Sequence, residues 1–221
     1  MVLKLISKID KIYFASGLYV LVSIILGAYL LNGLVLFLGW NMILATVVFF
    51  LSRLLIYLDQ RQNHGILLFM IFGLWIPFFP NSFYILTDFI HLEVYDFFID
   101  YPSIYTLKID DWLVMAHITI GALIALKLGL SSITLLEEHF LEKLKLRPYK
   151  ILILTALFLV SSVGIYIGRF LRFNSWDILR LFQIVHELFE EWQFMMGFIL
   201  VFTVIHWVSY LLFANRTNNV V

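Results

Sequence analysis

The sequence predicts an all-α membrane protein with six transmembrane helices in one bundle. Its composition is the first observation behind this prediction, because hydrophobic residues make up 62% of the 221 positions and charged residues only 14%. A soluble domain of this size could not cover so much apolar surface with polar side chains. The chain has no cysteine, which excludes disulfides, thiolate catalysis and cysteine-based zinc sites.

Long apolar runs are the second observation. About 20 apolar residues cross a hydrocarbon layer of roughly 30 Å, and this length places the spans at 12–31, 34–57, 65–87, 112–135, 150–170 and 194–213. The first run is too long for a signal-peptide core and is interpreted as a retained helix. Linkers and internal repeats are not visible, so residues 1–221 are predicted to form one domain.

Basic residues predict the orientation of the bundle. With a cytoplasmic N-terminus, the same side holds Lys4, Lys8, Lys11, Arg53, Arg61, Lys143, Lys145, Arg147, Lys150 and Arg216. The other side holds Lys108, Arg169, Arg172 and Arg180. Because cytoplasmic loops carry an excess of lysine and arginine, both termini are predicted to be cytoplasmic.

The third span is predicted to be broken by proline at PFFPNSFYILTD, residues 77–88. Pro77 and Pro80 each remove a backbone donor and leave carbonyl groups that hydrocarbon cannot satisfy. A discontinuous helix whose freed backbone groups and Asn81 line a site is one interpretation. An ordinary kink near a helix end, satisfied by neighbours and by Ser82 or Asn81, is the other.

Beyond the prolines, Tyr84, Asp88 and His91 follow at helical spacing and are predicted to share one face. Asp88 and His91 are the candidate catalytic residues, because a carboxylate beside an imidazole can relay a proton or orient a base. Two ligands fall short of a complete metal site, so no metal site is predicted. The alternative is that these polar side chains simply mark the membrane boundary.

Arg169 and Arg172 stand one helical turn apart at the end of the fifth span. Two guanidinium groups on one face suit a phosphate, a carboxylate substrate or Asp88 across the bundle, and both arginines are expected to be able to meet the Asp88 face; if Arg172 touches Asp88, its loss would leave the carboxylate unpaired. Snorkelling to lipid headgroups and a structural ion pair are the alternatives.

Ser175 to Gln193, between the fifth and sixth spans, has the pattern of an amphipathic helix. Trp176 and Phe182 belong to its apolar stripe, while Asp177 and Glu187 fall elsewhere. We expect this helix to lie on the outer membrane surface.

Two motifs resemble a known family. PNSFYILTDFIHL and GIYIGRFLRFNSWDIL are similar to the paired signatures of a bacterial integral membrane protein family described as domain of unknown function 1361, and Trp40-Asn41 fits its pattern too. The resemblance covers roughly residues 36–180 and carries no activity. It implies a bacterial cytoplasmic membrane, and the characteristic positions it matches are Asn81, Tyr84, Thr87, Asp88, His91, Arg169, Arg172, Asn174, Trp176 and Asp177.

These observations favour a polar pocket at the extracytoplasmic face that binds an anionic lipid headgroup or a lipid-linked intermediate. The arginines are expected to hold the anion, Asp88 and His91 to act as acid and base or to coordinate a cation, and Asn81, Tyr84, Asn174, Trp176 and Asp177 to complete the ligand site. Catalysis and cofactor use stay open. Membrane lipids are the expected partners.

A non-catalytic subunit that docks on another membrane protein through Ser175 to Gln193 is the alternative. A small transporter is less favoured, because the spans show no inverted repeat. Nucleic acid is not an expected partner, since a basic aromatic surface is missing.

Overall fold

The computed structural model describes residues 2–61, 65–100, 104–172 and 191–214. Within these ranges six helices are long and apolar enough to cross a membrane: Lys11–Tyr29, Gly33–Gln60, Ile66–Val94, Ile109–Leu141, Arg147–Phe170 and Trp192–Phe213. The predicted six-span, all-α fold is confirmed, and the protein is a polytopic membrane protein. Its organisation as one domain stays a prediction.

The described part of the chain contains seven α-helices. They are α1 Val2–Tyr29, α2 Gly33–Gln60, α3 Ile66–Phe78, α4 Asn81–Tyr84, α5 Ile109–Leu136, α6 Lys150–Phe170 and α7 Trp192–Phe213. The 3-10 segments are Ile85–Val94 and Arg147–Tyr149, and Glu137–Leu141 forms a π-helical turn. A short hairpin pairs β1, Phe98–Asp100, with β2, Ile104–Tyr105, in antiparallel register.

Hydrogen bonds between distant residues identify the two ends of the bundle. At one end, Asn32 before α2 donates to the Tyr95 hydroxyl at 2.7 Å. At the other, Asp59 near the end of α2 lies 2.7 Å from His139 after α5. We call these the Asp88 end and the Asp59 end, after the buried carboxylate nearest to each; which end faces the cytoplasm stays a prediction.

Helices α2 and α5 form the centre of the bundle, because both contribute to its two apolar clusters. One cluster joins them to α1 around Tyr19, Leu38 and Ile118. The other joins them to α3, α6 and α7 around Phe79 and Phe158. The remaining faces expose large apolar side chains, as hydrocarbon requires.

The third span changes its hydrogen-bond pattern at the prolines. Helix α3 contains Pro77 and ends at Phe78, but Phe79 and Pro80 keep right-handed helical backbone angles before α4 begins. Glycines of neighbouring helices allow this close approach: a Cβ on Gly129 of α5 would lie 2.5 Å from the Ser82 Cβ, and one on Gly164 of α6 would lie 2.6 Å from the Pro80 Cγ. The segment is thus held between α5 and α6.

Two spans extend past their predicted ends. The predicted spans 65–87 and 112–135 continue to Val94 and Leu141, because the chain stays helical in 3-10 and π geometry after its hydropathy falls. Most of the predicted interfacial helix Ser175 to Gln193 lies outside the described residues. Its final positions, Trp192 and Gln193, belong to α7.

Candidate functional site

Asp88 is a buried hydrogen-bond acceptor inside the bundle, and its side chain has no exposed surface. Its Oδ1 accepts from Nη2 of Arg169 on α6, while its Oδ2 accepts from Nδ2 of Asn41 on α2 at 3.0 Å. A buried charge is tolerated when it is both paired and hydrogen-bonded. Asp88 therefore ties the third span to both α2 and α6.

The 3-10 geometry of Ile85–Val94 arranges the polar side chains around Asp88. Residues three apart eclipse in such a helix, and His91 accordingly lies 3.9 Å from the Asp88 carboxylate. Thr87 follows Tyr84 by the same interval, and its hydroxyl donates to the Tyr84 carbonyl at 2.6 Å. The predicted single face of Tyr84, Asp88 and His91 is thus divided into two rows, Tyr84 with Thr87 and Asp88 with His91, and the Arg169 guanidinium contacts both rows.

Arg169 holds this cluster together from the last turn of α6. Its Nε and Nη2 donate to the Thr87 hydroxyl at 2.8 and 2.5 Å, and its Nη1 lies 3.1 Å from Nε2 of His91. The guanidinium carbon stands 4.4 Å from the centre of the Tyr84 ring, which is cation–π distance. With the Asp88 contact, four of the five guanidinium N–H groups point at protein partners.

His91 is the accessible member of the cluster. Its side chain is 38% exposed, whereas that of Arg169 is 10% exposed. A guanidinium has no lone pair to offer, so the contact with Arg169 requires His91 Nε2 to accept, which fixes the neutral ring with its proton on Nδ1. This arrangement leaves the Nδ1–H as the group that can donate to a ligand at the edge of a buried network.

Of the two arginines expected to be able to meet Asp88, Arg169 makes the contact, and Arg172 forms no ion pair with Asp88 among the described residues. Helix α6 ends at Phe170, so Arg172 lies beyond it with a positive φ of 58° and an exposed side chain. The chain leaves the helix before completing the turn that would have placed both arginines on one face. Arg169 and Arg172 therefore do not form the predicted guanidinium pair.

Asn81 satisfies a backbone group of the proline segment. Its Nδ2 donates to the carbonyl of Phe78 at 2.8 Å, as expected for an ordinary kink near a helix end. The neighbouring Ser82 hydroxyl is buried without a hydrogen-bond partner in the described part of the chain. Asn174, Trp176 and Asp177 lie outside the described residues.

Asn41 and Thr87 complete the network, although sequence reasoning assigned neither of them a role. Both occupy positions that match the family's pattern, but spacing along one helix cannot show a contact between helices. One feature of the sequence could have identified Asn41, which is an amide in the middle of an apolar run. Polar side chains within spans usually face the bundle interior, so such an amide indicates a contact with another helix.

Two buried histidines elsewhere in the bundle make local hydrogen bonds. His117 Nε2 lies 2.9 Å from the Ser23 hydroxyl, and His206 Nε2 lies 2.8 Å from that of Ser161. These contacts join α5 to α1 and α7 to α6. Among the described residues, no group of three or more histidine, aspartate and glutamate side chains is placed to hold a metal ion.

Comparison with known proteins gives a family and no described activity. Residues 40–209 match the model of the family described as "Protein of unknown function (DUF1361)", and the chain belongs to this family. No curated protein and no solved structure matches the chain. The matched range includes Asn41, Asp88, His91 and Arg169.

Proposed function

We propose that this member of the DUF1361 family binds the anionic headgroup of a membrane lipid, or of a lipid-linked intermediate, at the Asp88 end. The observation that carries the proposal is the contact between Arg169 and His91, which connects a buried ion pair to an exposed edge. Ionisable residues inside a membrane protein are costly, and they commonly mark a functional site.

Two groups at this edge are able to contact an anion directly. Asp88 balances the charge of Arg169, whose Nη1 keeps one N–H beyond its contact with His91. Arg172 adds an exposed positive charge at the end of the same helix. Glu93 and Asp96 are also exposed at this end, so we expect recognition through direct contacts and not through a general positive field.

The network assigns different roles to its members. Both Asp88 oxygens are taken by protein donors, so Asp88 would position Arg169 while His91 met the ligand. The Tyr84 ring would hold the Arg169 guanidinium group in place through its cation–π contact. If the ligand is a substrate, the Nδ1–H of His91 is the group that would donate a proton, and His91→Gln would then lower turnover more than it weakened binding.

The excess of basic residues at the Asp59 end supports an extracytoplasmic position for the Asp88 end. Asn81 and Asn174 would orient the ligand, and Trp176 and Asp177 would complete the site. These last three residues enter the proposal through the family motif alone.

Native mass spectrometry in a mild detergent tests the proposal. Phosphatidylglycerol is the anionic probe and phosphatidylcholine the zwitterionic one. We expect the parent to prefer phosphatidylglycerol and Arg172→Gln to weaken that preference about fivefold to tenfold, the effect of losing one direct charged contact. His91→Gln should weaken it less, because it replaces one uncharged hydrogen-bond donor with another.

Lys108→Gln is the matched control, because Lys108 is an exposed cation that directly precedes α5 at the same end. It should leave the preference unchanged. Equal binding of the two lipids by the parent, or a loss that Lys108→Gln reproduces, would reject the headgroup site.

A second candidate function is docking on another membrane protein. Exposed aromatic residues flank the 175–193 segment, with Phe170 at the end of α6 and Phe194 in the first turn of α7 in edge-to-face contact. Aromatic side chains are enriched at protein interfaces. Stoichiometric copurification that survives Asp88→Asn but fails in Phe194→Ala would favour this function.

A further inference from the structure

A cavity of about 620 Å³ opens between α3 and α6, in the half of the bundle nearer the Asp59 end. Its walls are almost wholly apolar, and Glu137 is the one charged residue among those that line it. Phe69 on the α3 wall is 76% exposed, and Val160 on the α6 wall is also exposed. The cavity therefore faces the hydrocarbon of the bilayer, where an apolar chain is available to fill it.

The cavity reaches about halfway across the membrane. On α3 its lining runs from Gly65, just before the helix, to Ile76. Ten residues of helix rise about 15 Å, which is one leaflet of a hydrocarbon layer of roughly 30 Å. Its depth thus matches one acyl chain that enters from the surface at the Asp59 end.

The mouth of the cavity alternates apolar and basic side chains. Leu144 and Leu146 line it, while Lys145 and Arg147 between and beside them are exposed. Neither basic side chain forms an ion pair with any residue that the structure describes. The two leucines therefore extend the apolar wall to the mouth of the cavity. The two cations lie beside them, at the level where a lipid headgroup would begin.

The charged pair inside the rim is already neutralised. Glu137 accepts from Lys150, and its other oxygen accepts from the Tyr210 hydroxyl at 2.5 Å. Lys150 also lies 5.4 Å from the Tyr210 ring centre. Lys145 and Arg147 are thus the cations at this mouth that are open to a headgroup phosphate.

We propose that this cavity binds one acyl chain of an anionic glycerophospholipid, with its phosphate held by Lys145 and Arg147. Basic sites between transmembrane helices bind anionic headgroups in this way. The cavity also lies within the size range of about 300–1,000 Å³ typical of ligand sites. This lipid site is separate from the proposed headgroup site, because it occupies the opposite end of the bundle.

The experiment uses the full chain with His91→Gln and Arg172→Gln in place, so that the outcome does not depend on the Asp88 end. Native mass spectrometry then compares phosphatidylglycerol and phosphatidylcholine with identical acyl chains. We expect a preference for phosphatidylglycerol that falls about tenfold in the Lys145→Gln, Arg147→Gln double variant. Lys11→Gln with Arg61→Gln removes two exposed cations from the same end and should change it little.

A cavity-filling variant tests the acyl chain. Ala156 lines the cavity from α6 and is exposed, so Ala156→Phe should fill it without unfolding the bundle. Ala28→Phe places the same ring on an exposed position of α1 as the control. We expect loss of both lipids in Ala156→Phe alone.

Two results would overturn the proposal: equal binding of the two lipids before the basic residues are changed, or lipid retention by a folded Ala156→Phe protein. The charge-removal variants decide the outcome alone if Ala156→Phe does not fold, because they alter only exposed side chains.

Discussion

The two ends of the bundle each carry a buried carboxylate bound to basic side chains, but the basic partners are exposed to different degrees. At the Asp88 end, the paired Arg169 side chain is only 10% exposed. At the Asp59 end, the Nζ of Lys143 lies 2.7 Å from both Asp59 oxygens while its side chain is 47% exposed. Both members of the ion pair are thus buried at the Asp88 end, whereas the cation is half-exposed at the Asp59 end.

This difference in exposure means that the two ion pairs differ in the free energy that their desolvation costs. Removing two charges from water can cost more than their attraction returns, and losing one partner strands the other charge. A pair whose cation is half-exposed gains less, because water and salt compete for the ammonium group. Stability alone therefore explains the Asp59 end better than the Asp88 end, where we infer a function.

Replacing Arg169 with alanine should have the largest effect. Asp88 would keep Asn41 as a donor but lose its counter-charge, and we expect a loss of about 3–5 kcal/mol in the free energy of unfolding. Denaturant titration of the purified protein in detergent measures it. Adding Asp88→Asn to this variant should recover part of the loss, because the stranded charge disappears.

Arg61→Ala is the matched control for that prediction. Arg61 is exposed and stands over the Tyr57 ring, so its removal should cost under about 1 kcal/mol. Similar losses for Arg61→Ala and Arg169→Ala would remove the contrast between the two ends.

Gly164→Ala should have an intermediate effect, because the new methyl group would lie 2.6 Å from the rigid Pro80 ring. We expect destabilisation by about 1–3 kcal/mol, as overpacking usually costs. Gly197→Ala on α7 is the control, since no atom lies within 4 Å of its added Cβ. Thermal unfolding of both variants makes the comparison, and equal shifts would contradict the tight packing of the proline segment.

Among the variants that change the Asp88 or Asp59 hydrogen-bond network, Lys143→Ala should lower the free energy of unfolding the least. Asp59 keeps His139 at 2.7 Å, and we expect a loss below about 1 kcal/mol that shrinks further at high salt. Denaturant titrations at low and high salt measure it. A salt-independent loss of unfolding free energy as large as that of Arg169→Ala would show that the Asp59 ion pair is shielded from water and salt as fully as the Asp88 pair.

Much of the fold was predictable because hydropathy reports directly on membrane crossing. Six apolar runs became six spans, but the third and fourth continued to Val94 and Leu141. Hydrogen bonds decide where a helix ends, and 3-10 or π turns can extend it through polar residues such as Asp88 and Glu137. A hydropathy profile does not report that extension.

The residues that form the site were easier to predict than the contacts between them. Asp88, His91 and Arg169 meet as expected from the two motifs, yet the arginine that binds Asp88 is not Arg172. That choice depends on where α6 ends, and Asn41 depends on how α2 is rotated toward the third span. Both are properties of packing that spacing along one helix does not record.

Photo-crosslinking in bilayer vesicles tests the central claim most directly. The probe is an anionic phospholipid with a photoactivatable headgroup, compared with a zwitterionic probe of the same chains, and peptide mass spectrometry locates the adducts. The account predicts anionic adducts on residues 84–96 and 166–172 that exceed those of the zwitterionic probe and decline in Arg172→Gln. Equal labelling of these segments by both probes would contradict a headgroup site at the Asp88 end.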